Sequence, residues 1–295
     1  MDKDRYEDIA HRLEETGNYR VLRRVDSRTF AKPGIGDGRL GIFIDLETTG
    51  LDPAHDEIIE IGMVPFTYSA DGRIIDIKKP FSGLRQPSKP IPAEVTEITG
   101  ITNEMVAGKA IDPAEVAAFA APAALIVAHN AGFDRKFAER FCDVFTTKPW
   151  ACSMSQVPWQ QEGFEGTRLG YLLAGVGLFN EAHRAIDDCY SALAILARPL
   201  PRSGEFAFSK LLTAARKPTC RIWAENSPFD LKDTLKKRGY RWNGDSNGRP
   251  RAWYVDVIEE HAEVELKFLK DEIYQRDVEL RVQKIAAYDR FSERG

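Results

Sequence analysis

The stretch Gly41-Ile42-Phe43-Ile44-Asp45-Leu46-Glu47-Thr48-Thr49-Gly50 places two acids at the end of a short apolar run. Residues Leu40 to Leu46 read as a buried strand, because the apolar run gives way to the turn residues Thr48, Thr49 and Gly50. Side chains alternate across a strand, so Asp45 and Glu47 point to one face. They stand at the strand's end, where an open sheet presents ligands to a crevice. Two carboxylates on so small a patch repel each other unless a cation lies between them. Alone, an Asp-x-Glu of this kind is a solvated strand end; two later segments change that reading.

The first is Leu125 to Ala128, a second short apolar run read as a buried strand. His129-Asn130-Ala131-Gly132 then forms a turn, and Phe133 to Phe145 reads as a helix with Phe133, Phe137, Phe141 and Val144 at helical spacing. Those apolar residues belong to a core, not to a base-stacking platform. Asp134 falls in the first turn. There it is either a favourable charge at the helix's positive end or a metal ligand, with Asn130 beside it to position a substrate or water.

The second is His183-Arg184-Ala185-Ile186-Asp187-Asp188. Ala185 to Ala197 reads as a helix with an apolar stripe at Cys189, Ala192, Leu193 and Leu196. His183 is five positions from Asp188, which is poor spacing for one helical face, so it is expected on the preceding loop, free to swing over a site. Histidines titrate near neutral pH and can take a proton from metal-bound water. Spacing alone leaves Asp187 and Asp188 as competing ligands. Carboxylates from three segments with one late histidine suit a site for two hard cations that activates water for phosphodiester hydrolysis.

With these residues in view, the chain resembles the DEDD superfamily of 3′–5′ exonucleases, in the subgroup with a catalytic histidine. That subgroup includes bacterial proofreading subunits and animal three-prime repair exonucleases. The resemblance covers roughly Leu40 to Pro199 and rests on Phe-Ile-Asp-Leu-Glu-Thr-Thr-Gly-Leu, Ile98-Thr99-Gly100-Ile101-Thr102, His-Asn-Ala-Gly-Phe-Asp and His-x-Ala-x-x-Asp. A related subgroup carries a tyrosine four positions before its last aspartate; Arg184 stands there. The resemblance implies an α/β, ribonuclease-H-like fold, a mixed sheet flanked by helices. It assigns the fourth ligand to Asp188 and leaves Asp187 as a helix-end charge. It implies two ions per site, magnesium or manganese, one held by Asp45, Glu47 and Asp188 and the other by Asp45 and Asp134. His183 would be the general base. Thr48 and Leu51 match positions that hold the terminal nucleotide; Leu51 either wedges against the terminal base or packs in its turn.

Bulk properties are consistent with an enzyme of two folded units: 295 residues exceed one average domain, and 43% hydrophobic content suffices for a core. The charged start Met1-Asp2-Lys3-Asp4-Arg5 argues against a signal peptide, and no run approaches a membrane span, so a cytoplasmic protein without membrane contact is expected. Cys142, Cys152, Cys189 and Cys220 show no Cys-x-x-Cys spacing and read as reduced thiols. The net charge of −4 is unevenly distributed. Residues 41–198 carry 13 Lys and Arg against 21 Asp and Glu, whereas residues 200–295 carry 19 against 16. Substrate attraction must then come from local basic patches.

Around the nuclease segment (40–200), an N-terminal extension (1–39) reads as a helix at Tyr6–Leu13, a short strand at Tyr19–Val25 and a loop at Pro33–Gly38. This extension packs on the nuclease or pairs with a second copy. Asp71-Gly72 suggests a hairpin between the second and third strands. Pro199 to Gly204 opens a linker (201–217) to a small α/β module (218–295). In that module Cys220–Ala224, Tyr240–Trp242, Ala252–Val255 and the alternating Val278, Leu280 and Val282 read as strands. Ser227-Pro228 reads as a serine-capped start to a helix ending at Gly239. Glu259 to Ile273 reads as a further helix. Trp223, Trp242, Trp253 and Tyr254 accompany Lys232, Lys236, Lys237, Arg238, Arg241, Arg249 and Arg251. That mixture is either a nucleic-acid surface or a tryptophan core with a solvated basic helix.

The expected function is a metal-dependent 3′–5′ exonuclease that releases nucleoside 5′-monophosphates from DNA, single-stranded by preference, with a homodimer or a polymerase or repair protein as possible partners. An exoribonuclease or oligoribonuclease is the nearest alternative. A non-catalytic nucleic-acid-binding or polymerase-associated protein is the alternative of another class.

Overall fold

The computed structural model describes residues 3–25, 38–181, 183–244 and 248–294. The chain divides into two compact units, Met1–Ala214 and Ala215–Gly295. The elements in chain order begin with α1 (Lys3–Glu15), β1 (Arg23–Arg24), β2 (Arg39–Thr48), β3 (Ile58–Tyr68), β4 (Ile74–Ile77) and β5 (Phe81–Leu84). There follow α2 (Ala93–Thr99), α3 (Asn103–Val106), α4 (Pro113–Ala120), β6 (Leu125–Ala128), α5 (Ala131–Phe141) and β7 (Trp150–Cys152). Next come α6 (Leu169–Gly175), β8 (Leu178–Phe179), α7 (Ala185–Leu196) and α8 (Ala207–Arg216). The second unit carries β9 (Thr219–Ala224), α9 (Lys232–Lys237), β10 (Arg241–Trp242), β11 (Trp253–Ile258), α10 (Ala262–Phe268) and β12 (Val282–Ile285).

The first unit is built on a mixed sheet of order β4-β3-β2-β6-β7, with β5 also paired to β3. β2 runs antiparallel to β3 and parallel to β6, and β6 runs parallel to β7. Ile42, Phe43 and Ile44 are wholly buried, as a strand covered on both faces requires. One cover is α7, which lies across β2 and β3. It approaches closely because β3 has a glycine there: a Cβ on Gly62 would meet the Ala185 carbonyl carbon at 2.6 Å. Cys189 sits beneath, its thiol directed at the Phe43 and Gly62 carbonyls. The Asp71-Gly72 turn does join β3 to β4, and Gly72 takes the left-handed φ of +83° that favours glycine.

Several local expectations are corrected. The strand expected at Tyr19–Val25 is confined to Arg23–Arg24, which among the described residues pairs with Leu178–Phe179; Tyr19 is 60% exposed. Part of the Pro33–Gly38 loop lies outside the described residues. The helix expected through Phe145 ends at Phe141, because Cys142 turns extended before a 3-10 turn at Asp143–Thr147. The segment 201–217 contains α8, not a plain linker. Phe208 stacks edge-on against Phe66 and Tyr68, and Leu211 and Leu212 are buried. The Pro and Gly residues before it stop the previous helix, but apolar spacing from Ala207 starts another.

The second unit is a four-stranded sheet of order β10-β11-β9-β12 over a core of Cys220, Ile222, Leu235, Tyr240, Val255, Leu269 and Ile273. Ser227 does not cap the helix: a 3-10 turn at Phe229–Leu231 with Pro228 at its start precedes α9, whose own cap position is Leu231, and neither residue makes a side-chain cap bond. The helix expected over Glu259–Ile273 is a 3-10 turn, then α10, then a π-helical turn at Leu269–Tyr274. The last strand begins at Val282, later than the alternation from Val278 suggests, since only from there does it pair with β9.

Candidate active site

Asp45 and Glu47 project from the end of β2, where the register pairs Asp45 with Gly62 and Glu47 with Glu60. Asp134 enters from the first turn of α5 and is 3% exposed. Asp188 comes from the first turn of α7. Its carboxylate accepts the Asn180 amide at 2.6 Å and the His183 backbone N–H at 3.0 Å. Asp187 is exposed, on the other side of the helix. The ligand atoms of Glu47, His183 and Asp188 lie within 4.8 Å of one another.

Electrostatics join these three with Asp45 and Asp134. Burial raises the Asp45 carboxyl well above its ordinary range, and the neighbouring charges of Asp134, Asp188 and Glu47 add to the rise. Burial, with Asp188 and Glu60 nearby, pushes Glu47 up to about 8. Asp134 is likewise pushed by burial to about 8. Burial raises Asp188 as well, against the bonds from His183 and Asn180. Four neighbouring carboxyls whose ionisation is opposed in this way are an arrangement that a bound cation would relieve.

His183 is less free than its loop position suggests. Its side chain is exposed, but its backbone has φ +69° and its N–H is held by Asp188. The next two residues are held by Glu60, a carboxylate only 1% exposed. Glu60 accepts the Arg184 guanidinium, at 2.8 Å from the terminal nitrogen, and the Ala185 backbone N–H at 3.0 Å. These contacts were missing from the reading of the sequence. A signal was present in Ile58-Ile59-Glu60-Ile61, where a lone acid interrupts a buried apolar strand. Asn180 carried no such signal.

The remaining candidates differ in exposure. Thr48 is buried, and its hydroxyl donates to the Gly50 carbonyl at 2.6 Å. Leu51 is 84% exposed and does not pack in its turn. Asn130 is exposed with φ +102°, and its side chain makes no cap bond to α5. His129 serves the scaffold. Its ring bridges the Ser153 hydroxyl and the Thr167 carbonyl, each at 2.8 Å, and burial lowers it to about 4.

A mixed sheet flanked by helices, with acids converging at the end of its central strand, defines the class as ribonuclease-H-like. Residues 42–196 match the RNase_T model, described as Exonuclease, and the chain belongs to that family, within the DEDD superfamily. It is 31% identical over 186 residues to the DNA polymerase III PolC-type of Thermotoga petrophila, a match covering 58% of this chain and 12% of that protein. It is 35% identical over 153 residues to DNA polymerase III subunit epsilon of Treponema pallidum, covering 49% of this chain and 68% of that one. The chain thus spans only a small part of the PolC-type relative. The fold is shared with the zinc-bound E. coli ExoI–ssDNA complex (TM-score 0.52, 17% identity, 79% of this chain and 71% of that one).

Proposed function

We propose that the protein is a metal-dependent 3′–5′ exonuclease that removes nucleoside 5′-monophosphates from DNA, with single strands preferred. The carrying observation is the convergence of Glu47, His183 and Asp188 within 4.8 Å, beside Asp45 and Asp134 whose ionisation burial opposes. The oxygen-rich donor set fits magnesium or manganese. Asp45, Glu47 and Asp188 would hold one ion and Asp45 and Asp134 the second. When bound, the ions supply charge to the phosphodiester and make water a better nucleophile.

The chain's own residues do the rest. His183, exposed at the rim, accepts the proton from the attacking water. Its backbone bond to Asp188 and the Glu60 clamp on the two residues after it keep the imidazole beside the carboxylates. Leu51, projecting into solvent from the turn after β2, would meet the terminal base, and Thr48 and Asn130 would hold the terminal nucleotide.

The test is incubation of 5′-labelled single-stranded DNA and RNA of one sequence with magnesium, manganese or chelator, beside Asp188→Ala. A shortening ladder on DNA that needs both metal and Asp188 is expected. A ladder confined to RNA would redirect the proposal to an exoribonuclease. Binding without any ladder would leave a non-catalytic nucleic-acid-binding protein.

A further inference from the structure

Among its described residues the second unit exposes three large aromatic rings, Tyr288 (55% exposed), Phe229 and Trp242. Phe229 is 75% exposed and Trp242 is 53% exposed, although Trp223, Leu235 and Tyr240 of the same unit are buried. The Phe229 and Trp242 rings belong to one row of contacts. Lys232 Nζ lies 4.0 Å from the centre of the Phe229 ring. One turn further along α9, Lys236 Nζ lies 5.7 Å from the centre of the Trp253 ring. Trp253 in turn meets Trp242 with centroids 5.7 Å apart, edge to face. The order is ring, cation, cation, ring, ring. Residues 229–244 carry five Lys and Arg against two Asp.

We infer that this row binds single-stranded nucleic acid, with unpaired bases stacking on Trp242 and Phe229 and phosphates paired by Lys232 and Lys236. The chemistry selects this occupant over others. An acidic peptide would satisfy the lysines but offer no flat partner to the exposed rings. A duplex would satisfy the lysines too, but its bases are already stacked inside the helix. Only an unpaired strand presents a phosphate and a free π face at each nucleotide. Trp242 is also well placed to stay rigid. The adjoining Asn243 is buried, and its backbone N–H and side-chain amide donate to the Ala252 and Pro250 carbonyls. The backbone beside Trp242 is thereby anchored, so less freedom is lost when a base stacks on its ring. The inference rests on the exonuclease proposal only for the expectation that the strand is DNA.

The test is fluorescence anisotropy of a labelled oligothymidylate of about 16 nucleotides, in chelator, with the full chain carrying Asp188→Asn so that nothing is degraded. Adding Trp242→Ala or Phe229→Ala is expected to weaken binding roughly 5- to 160-fold each, the range for one lost base–aromatic stack. Trp242→Phe keeps a ring and should retain most of the affinity, which separates stacking from loss of fold. Lys232→Glu with Lys236→Glu should flatten the slope of log Kd against log salt by about 1.4, for two single-strand phosphate contacts. Unchanged Kd in all these variants, or equal affinity for a blunt duplex, overturns the inference. Cleavage by the parent chain is read separately. Absent cleavage with ring-dependent binding removes the exonuclease proposal alone; cleavage with ring-independent binding removes this inference alone.

Discussion

Gly62 stands directly opposite Asp45 in the β2–β3 register, and its missing side chain is the space into which the start of α7 descends. The helix that carries Asp188 reaches the strand that carries Asp45 because nothing larger than hydrogen stands between Gly62 and Ala185. A Cβ there would meet the Ala185 carbonyl carbon at 2.6 Å and the Ile186 nitrogen at 2.7 Å, both backbone atoms that cannot rotate away.

Gly62→Ala should therefore lift the start of α7 from the sheet. Overpacking of this kind costs about 1–3 kcal/mol, and a shift near 1 Å at a catalytic group costs roughly 100-fold in turnover. Thermal unfolding and single-turnover cleavage measure the two effects. Cleavage within twofold of the parent would show that α7 does not need this approach.

Glu60→Gln keeps the shape of the side chain but removes the charge that holds Arg184. The buried partner loses a charge-assisted bond while the half-exposed arginine turns to water, so the stability loss should be modest, about 1–2 kcal/mol. The position of His183 should suffer more. Turnover is expected to fall roughly tenfold, with oligonucleotide affinity in chelator unchanged. Equal losses in turnover and affinity would instead show a general collapse of the site.

Asp45→Asn and Asp188→Asn should each lower cleavage by at least about a thousandfold, the scale of losing a metal-organising charge. His183→Ala should reduce turnover by roughly 100-fold or more and leave metal-dependent substrate binding largely intact. Rapid-quench cleavage and anisotropy read these two quantities. A His183→Ala variant that no longer binds DNA would make the histidine a binding group.

The pH dependence of the metal-free protein follows from the crowded acids. Glu47 and Asp134 are held near 8 in the folded chain, far above ordinary carboxyls. Below about pH 4 both are protonated whether folded or unfolded, and their favourable contribution is fully present. As pH rises through about 8 the folded chain must ionise them against burial, and that contribution is lost. Stability in chelator should therefore decline across this window, and the rise in Tm on adding magnesium should grow with pH. Differential scanning fluorimetry at several pH values checks both. A magnesium-induced shift independent of pH would place the ion away from these acids.

Much of the site was legible because its parts are local. Strand periodicity puts Asp45 and Glu47 on one face, and the apolar run at Leu125–Ala128 marks β6 at the same residues in the structure. Helical spacing places Asp188 in the first turn of α7. Such signals need only a window of a few residues, since backbone hydrogen bonding and side-chain alternation repeat within it.

What tertiary structure alone decided lies between windows. Spacing alone left Asp187 and Asp188 in competition; folding half-buries Asp188 against Asn180 and His183 and turns Asp187 to solvent. The clamp from Glu60 to Arg184 joins residues 124 positions apart, and no periodicity encodes a partner at that distance. The apolar spacing of α8 was written in the sequence, but its seat against Phe66 and Tyr68 required the assembled sheet. Local chemistry determined which acids stand on which elements. Packing of α7 over Gly62 determined that they meet, because burial and close approach depend on every segment that shares the core.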